Sequence, residues 1–455
     1  MDYLAPYILS IFFSLCLLSV LYKKIFLLYL YAAAIPFFGA FIDFGLQVNA
    51  EKIVALMILL LFIGSFKNIK FQKPLLFYIL FSIFITTVLS LNLPDYADRL
   101  PPMRGRYRWV MQIILLLQLY LPVFYISHIA TRKEDILAAI KIFLISTCIS
   151  AIVGVIQLAI FSASNINILP MGNGLGDVRQ SAVAESGLLR ITSYSGEPKH
   201  FALCLIIAFG LLFICSLLNF RLIKYALGLM ILVAVSVVLT SSSQGLILLG
   251  ILLVVIPIIC YRLQKTLTKR LFFITVGVYI VSAIAISQPA INQLLTSRTI
   301  TRLQEKEGDE AKFGGVEDFD QAILGYLSEN PETLILGLGI GNIHLYAYSY
   351  IPSIFQYYMT DNVFYSKKGF LRQLTEVGFI GFGLFLYLFI YPLSLIMKKL
   401  KKDDRIGILV CAFAIISLFV YLNTCDGPNF CPFALMLLYS YQNILKTEKH
   451  LILNK

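Results

Sequence analysis

Apolar runs of near-span length follow one another along the chain, separated by short polar gaps. They lie near 4–21, 25–42, 53–66, 74–91, 110–130, 136–161, 200–219, 222–240, 245–261, 271–288, 370–397, 406–422 and 430–445. A helix needs about 20 mainly apolar residues to cross the hydrocarbon core of a bilayer. The third run is short and the sixth long, so the pattern predicts about 13 transmembrane helices (12–14). Two gaps are too long for turns, 162–199 and 289–369. The expected fold is an all-α polytopic integral membrane protein. N-terminal helices occupy 1–161, a first long loop 162–199, central helices 200–288, a large loop 289–369 and C-terminal helices 370–455.

Inside the large loop, Phe319, Ala322, Ile323, Tyr326 and Leu327 recur at helical spacing, and Asn330–Pro331 ends the pattern. This predicts an amphipathic helix packed on the outer face of the bundle, structural or a lid.

Lys and Arg cluster in every second gap: Lys23–Lys24, Lys67–Lys73, Arg132–Lys133, Arg221–Lys224, Arg262–Arg270, Lys398–Arg405 and Lys446–Lys455. The positive-inside rule makes that side cytoplasmic. Both long loops then face outward, onto the periplasm in a bacterial inner membrane.

Composition agrees. The chain has 455 residues, 59% hydrophobic and 14% charged, with mean hydropathy +0.84. Soluble chains are nearer 25% charged, which excludes an ordinary cytoplasmic enzyme, a disordered chain and a secreted disulfide scaffold. The net charge of +12 follows from topology. The cytoplasmic gaps hold 21 basic against five acidic residues, the outer side 15 against 20. No nucleic-acid partner is expected, and the outer arginines stand on a face that is otherwise net acidic.

In the stretch SGLLRITSYSGEPKHFAL, Arg190, Glu197, Lys199 and His200 crowd the outer mouth of a span. Charges near a membrane core are kept where they pair or handle substrate. They read as an anion-binding and acid/base cluster, or as interfacial residues ending a helix. Pro198 suits a first helical turn, whose positive dipole end favours phosphate.

The large loop opens with Arg298 and Arg302, four apart. On one helical face they would form two guanidinium forks for a pyrophosphate. The alternative is a surface pair answering Glu305, Glu307, Asp309 and Glu310. Gly337, Gly339 and Gly341 in LGLGIGN lack dinucleotide-fold spacing and read as a tight turn. The tyrosine-dense stretch 346–365 suits a bilayer interface or, as the second reading, sugar stacking. Lys367 and Lys368 lead into a span that begins with Arg372 and Glu376, four apart and able to pair.

Arg99, Arg104, Arg106 and Arg108 form a basic collar suited to lipid phosphates, and Ser241–Gln244 suits a helix end. Cys425 and Cys431 flank the last hairpin as a disulfide or as two thiols. No Cys/His spacing suggests a metal.

Three stretches, in this order and loop placement, resemble the bacterial O-antigen polymerase (Wzy) family of the O-antigen ligase/polymerase superfamily. Arg190 to Ala202 resembles its "R…S…EP…A" entry to a span. Arg298 followed by Gly337-Leu-Gly339-Ile-Gly341 resembles its large-loop pattern. Leu374-Thr-Glu376-Val-Gly378-Phe-Ile-Gly381 resembles its re-entry to the membrane.

The resemblance implies a GT-C-like glycosyltransferase at the periplasmic face. It would join oligosaccharide units carried on undecaprenyl pyrophosphate, with inversion and without metal or nucleotide cofactor. The expected partners are that carrier-linked oligosaccharide, membrane lipids and a chain-length regulator protein. The expected catalytic residues are Glu197, as base, with His200 second, and Arg190. Expected at the pyrophosphate and glycan are Arg298, Arg302, Lys199, Lys367, Arg372 and Glu376, the last as an orienting residue.

Ligase-like members carry a His-Asn pair where Lys367 and Lys368 stand. That departure argues against an O-antigen ligase acting on lipid A–core, which is the alternative within the enzyme class, and leaves the acid/base role open. A lipid-linked oligosaccharide flippase is the alternative outside it. Transporters place polar groups at the midplane, whereas these spans are almost free of charge, Lys141 excepted.

Overall fold

The computed structural model describes residues 4–43, 47–169, 189–264, 316–351, 365–366, 368–400, 404–425 and 429–453. The apolar run near 271–288, Arg298, Arg302 and Lys367 lie outside them.

Each of the other apolar runs forms a helix. In the first half these are α1 (Ala5–Tyr22), α2 (Phe26–Ala34), α3 (Ala50–Ser65), α4 (Lys73–Leu89), α5 (Arg108–Ile129) and α6 (Lys133–Ser164). Then come α7 (Pro198–Leu217), α8 (Ala226–Leu239) and α9 (Ser243–Gln264). The large loop contributes α10 (Val316–Glu329), α11 (Thr333–Leu336) and α12 (Ile343–Tyr346). The chain ends with α13 (Gly369–Lys399), α14 (Arg405–Asn423) and α15 (Phe430–Leu453).

Among the described residues, six helices (α1, α5, α6, α7, α13 and α14) are each long and apolar enough to cross a membrane. The pair α3–α4, bent by 116° at a short break, makes up to seven if read as one span. The protein is thus a mostly helical membrane protein. The bend exceeds a right angle, so α4 returns toward the face where α3 begins.

Two features depart from a simple stack of spans. At 1.5 Å rise per residue, α2 is only about 14 Å long, well short of a crossing. It tightens into a 3-10 turn at Ile35–Phe37, where Pro36 prevents further regular helix. A two-stranded antiparallel ribbon follows, β1 (Phe41–Asp43) with β2 (Gln47–Asn49), pairing Ile42 with Val48. This is a small exception to the all-α expectation. The ribbon satisfies backbone groups that a half-length helix would leave open in an apolar setting. Asn49 then caps α3 by accepting from the Lys52 amide at 3.0 Å.

α7 is buried along nearly its whole length and packs against α6, α8, α9 and α14. A helix apolar all round belongs at the centre of a bundle. One end of the bundle carries the basic clusters. There Lys133 pairs with Glu448 at 3.0 Å, Tyr441 hydrogen-bonds Asp404, and Arg405 donates to the Asn219 carbonyl at 3.4 Å. The large-loop helices sit at the opposite end. On α10, Ala322, Ile323 and Leu327 are buried with Leu338, Ile343, Ile351 and Leu371, a small separate core. Leu371 belongs to α13, so this core ties the loop to a span.

Candidate functional site

At the large-loop end the bundle encloses a cavity of about 490 Å³. Its wall is built from helix ends that lie far apart in sequence. The starts of α3, α5, α7, α13 and α15 supply Lys52, Arg108, Glu197, Arg372 and Phe430, and the end of α14 supplies Tyr421. Helix N-termini carry partial positive charge, so this wall favours an anion before any side chain is counted.

On one side, Glu197 stands at the N-cap of α7 in extended conformation, with Pro198 following. Its side chain makes no cap hydrogen bond to its own helix. His200, one turn on, places Nε2 3.5 Å from the Glu197 carboxylate, and Phe38 meets its ring edge-on at 5.0 Å.

The 3-10 turn after α2 fixes this corner. Gly39 N–H donates to the Tyr194 carbonyl at 3.0 Å, Ser195 Oγ to the Pro36 carbonyl at 2.9 Å, and Phe37 stacks on Tyr194. A Cβ on Gly39 would lie 2.2 Å from the Gly196 nitrogen. Gly39→Ala is therefore expected to push Glu197 out of place and lower activity more than it lowers the amount of protein in the membrane. Equal activity per molecule would show that the crossing does not position Glu197.

On the other side the wall is a broken helix. Gly378 takes φ 68° and ψ −176° and interrupts α13. The carbonyls of Thr375 and Glu376 accept instead from Leu338 and Gly339 N–H, at 2.8 and 2.9 Å. Gly337, Gly339 and Gly341 all have positive φ, so LGLGIGN is the tight turn its glycines predict.

Glu376, 4% exposed, holds the assembly: Oε1 accepts from Arg372 Nε at 3.1 Å and from Gly341 N–H at 3.3 Å. Arg372 also lies over the Tyr365 ring at 4.8 Å. Arg108 approaches from α5 and donates from Nε to the Gly341 carbonyl at 3.0 Å. Two arginines and Lys52 thus line the cavity, with Glu376 and Glu197 opposing them.

The structure thus brings Glu197, His200, Arg372 and Glu376 into one cavity. Arg190 is elsewhere. It donates from Nε to the Thr240 carbonyl at 3.0 Å and from Nη2 to the Ser241 carbonyl at 3.3 Å. It binds the orphan carbonyls at the end of α8, outside the wall of this cavity. Lys199 is half-buried and not part of the cavity wall. Arg298, Arg302 and Lys367 lie outside the described residues.

The collar divides. Arg106 pairs with Asp98 at 2.6 Å on the surface, whereas Arg108 faces the cavity. Nothing in the spacing of these arginines separates them. Only the start of an apolar run at Trp109 hints that Arg108 already belongs to a span. Glu51, 1% exposed, accepts from Tyr31 Oη at 2.9 Å and from Asn429 N–H at 3.3 Å. It anchors the first turn of α3, from which Lys52 reaches the wall. Cys425 and Cys431 are separate thiols, Cys425 donating to the Ser366 carbonyl at 3.3 Å.

Behind Arg108, His344 is buried between loop segments, with Nε2 2.8 Å from the Arg104 carbonyl. Burial, helped by the Arg108 charge, pushes its pKa from 6.5 down to about 3. The unfolded chain then binds more protons between these values. This contribution is complete above about pH 6.5 and is lost as pH falls toward 3. Tm in detergent is expected to drop between pH 7 and pH 5 more for the wild type than for His344→Gln. Parallel curves would mean that His344 is not held neutral.

No family model and no curated protein matches the chain.

Proposed function

We propose that the chain is a polysaccharide polymerase of the O-antigen polymerase type. The cavity would then lie on the periplasmic side of a bacterial inner membrane. One observation carries the reading: an arginine-rich wall and a carboxylate–imidazole pair, from distant parts of the chain, share one cavity at the end opposite the basic clusters. The positive-inside rule supports an outward-facing cavity. The resemblance of the Glu197-Pro198 and Glu376-x-Gly378 segments supplies the reaction class.

The donor is a glycan chain on undecaprenyl pyrophosphate. An acceptor hydroxyl on a new carrier-linked unit attacks the anomeric carbon. Its C–O bond forms as the anomeric C–O bond to phosphate breaks, and the pyrophosphate leaves with the electron pair. Glu197 takes the hydroxyl proton, with His200 beside it to share the charge. Arg108 and Arg372 meet charge that develops on the leaving pyrophosphate, and this lowers the barrier. Glu376 holds Arg372 by its Nε, so that the outer edge of the guanidinium presents to the cavity. Attack from the opposite side inverts the anomeric centre.

The surface polysaccharide of a strain lacking the chain tests this. A core capped with a single repeat unit is expected. Bare core would make it a ligase, and an unaltered ladder would remove polysaccharide assembly altogether.

A further inference from the structure

A second opening lies toward the basic end of the bundle, among α7, α9, α13 and α14. It is a groove of about 220 Å³, and every residue that lines it is apolar. Its floor, with Leu252, Ile256, Ile408 and Ile416, is buried. Its rim is not: Ile251, Met397 and Ile415 stand 37%, 54% and 43% exposed. A buried floor with an exposed rim opens sideways, into the bilayer.

Along α14 the groove runs from Ile408 to Phe419, about 16 Å at 1.5 Å per residue. That matches the hydrocarbon depth of one leaflet, half of roughly 30 Å. A helix about 10 Å across would occupy on the order of 1,300 Å³ over that length. The groove is therefore sized for a single flexible chain.

A cation stands at its head. Arg405 lies one turn before Ile408, on the stripe that continues through Ala412, Ile415 and Phe419. Its Nη1 donates to the Asn219 carbonyl at 3.4 Å, and the guanidinium lies 5.9 Å from the Phe220 ring centre. Arg221 follows, exposed. The adjacent carboxylate, Asp404, is already engaged, accepting from Gly407 N–H at 3.2 Å and from Tyr441 Oη. Among the described residues no acid pairs with Arg405.

An apolar slot one leaflet deep, headed by arginine, matches an amphiphile with an anionic head and an acyl tail. A soluble phosphate would leave the slot unfilled, and a neutral lipid would leave the arginine unanswered. We propose that this groove binds one anionic diacyl phospholipid from the leaflet at the basic end, with an acyl chain between α9 and α14 and the phosphate on Arg405. The site is separate from the cavity at the large-loop end and does not depend on the polymerase reading.

The test is native mass spectrometry of the full chain in detergent, delipidated and then titrated with phosphatidylglycerol or phosphatidylethanolamine of the same acyl chains. One phosphatidylglycerol should be retained in preference to phosphatidylethanolamine. Arg405→Gln should reduce that preference about fivefold, the worth of one basic residue facing an anionic lipid. Ala412→Phe, which fills the groove, should weaken retention of both lipids about tenfold, the loss of about two buried methylenes. Should that variant not fold, Ile415→Trp at the exposed rim takes its place with the same expected loss. Ile11→Trp, on an exposed face of α1, should change neither. Equal retention of the two lipids by the wild type overturns the anionic site. Retention unchanged in the groove-filling variant overturns the groove as its seat and gives it to another occupant, such as an apolar segment of the chain itself.

Discussion

Gly378→Ala is expected to cost more folded protein than any other single change near the cavity. The φ and ψ of Gly378 fall in a region essentially confined to glycine, worth about 1–3 kcal/mol of strain for another residue. A Cβ there would also lie 2.3 Å from the Ile335 carbonyl oxygen and 2.6 Å from the Leu336 carbonyl carbon, both backbone. Relief requires moving the glycine turn, which breaks the Leu338–Thr375 and Gly339–Glu376 hydrogen bonds. Each buried backbone group left unpaired adds about 1–3 kcal/mol, so the total is about 3 kcal/mol or more. Monodisperse yield and Tm in detergent measure it, with Gly383→Ala as control because nothing lies near its Cβ. If the two variants behave alike, the helix break is not held by the glycine turn.

The second large effect is on rate. Glu197→Gln keeps the size of the side chain but cannot take a proton, and losing a general base costs about 10²–10⁴ in turnover. Arg108→Ala removes a cation from the leaving-group wall, where comparable losses run to about 10²–10³. Both variants should reach the membrane at wild-type levels and yield little or no long polysaccharide. Arg372→Lys should fall between them and wild type, since an ammonium keeps the charge but cannot hold Glu376 and a phosphate on separate edges. A normal ladder from Glu197→Gln would end its assignment as base. A normal ladder from Arg108→Ala would return that residue to the lipid-facing collar.

Much of the fold could be read from hydropathy, because a span must be apolar for its whole length and nothing else in a sequence looks like that. The turn at Gly337–Gly341 was legible too, since clustered glycines outside any nucleotide fold mean unusual backbone. What escaped was anything set by pairing across distance. The break at Gly378 sits inside a run that reads as continuous helix, and only the docked turn makes it stable. Arg190 neighbours Glu197 in sequence, yet it reaches the carbonyls of Thr240 and Ser241 at the end of α8, a contact with no local signature. The groove beside α14 is lined by residues that read as any apolar span, and nothing in them marks an opening. Glu51 and Lys52 fell in a gap between runs, so their role at the head of α3 had no local signature.

Glu51 has one more consequence, for the order of manufacture. Its carboxylate is completed by Asn429, 378 residues downstream, and the α15 side chain Asn443 also bonds Gln72 and the Ser127 carbonyl. While the ribosome is still translating, the early helices therefore wait in the bilayer with an acid lacking its final donor. The last hairpin acts as a closing clasp. A chain terminated before Asn429 would keep nearly every span yet leave that acid incompletely satisfied, a mark by which membrane proteases could sort unfinished copies from finished ones.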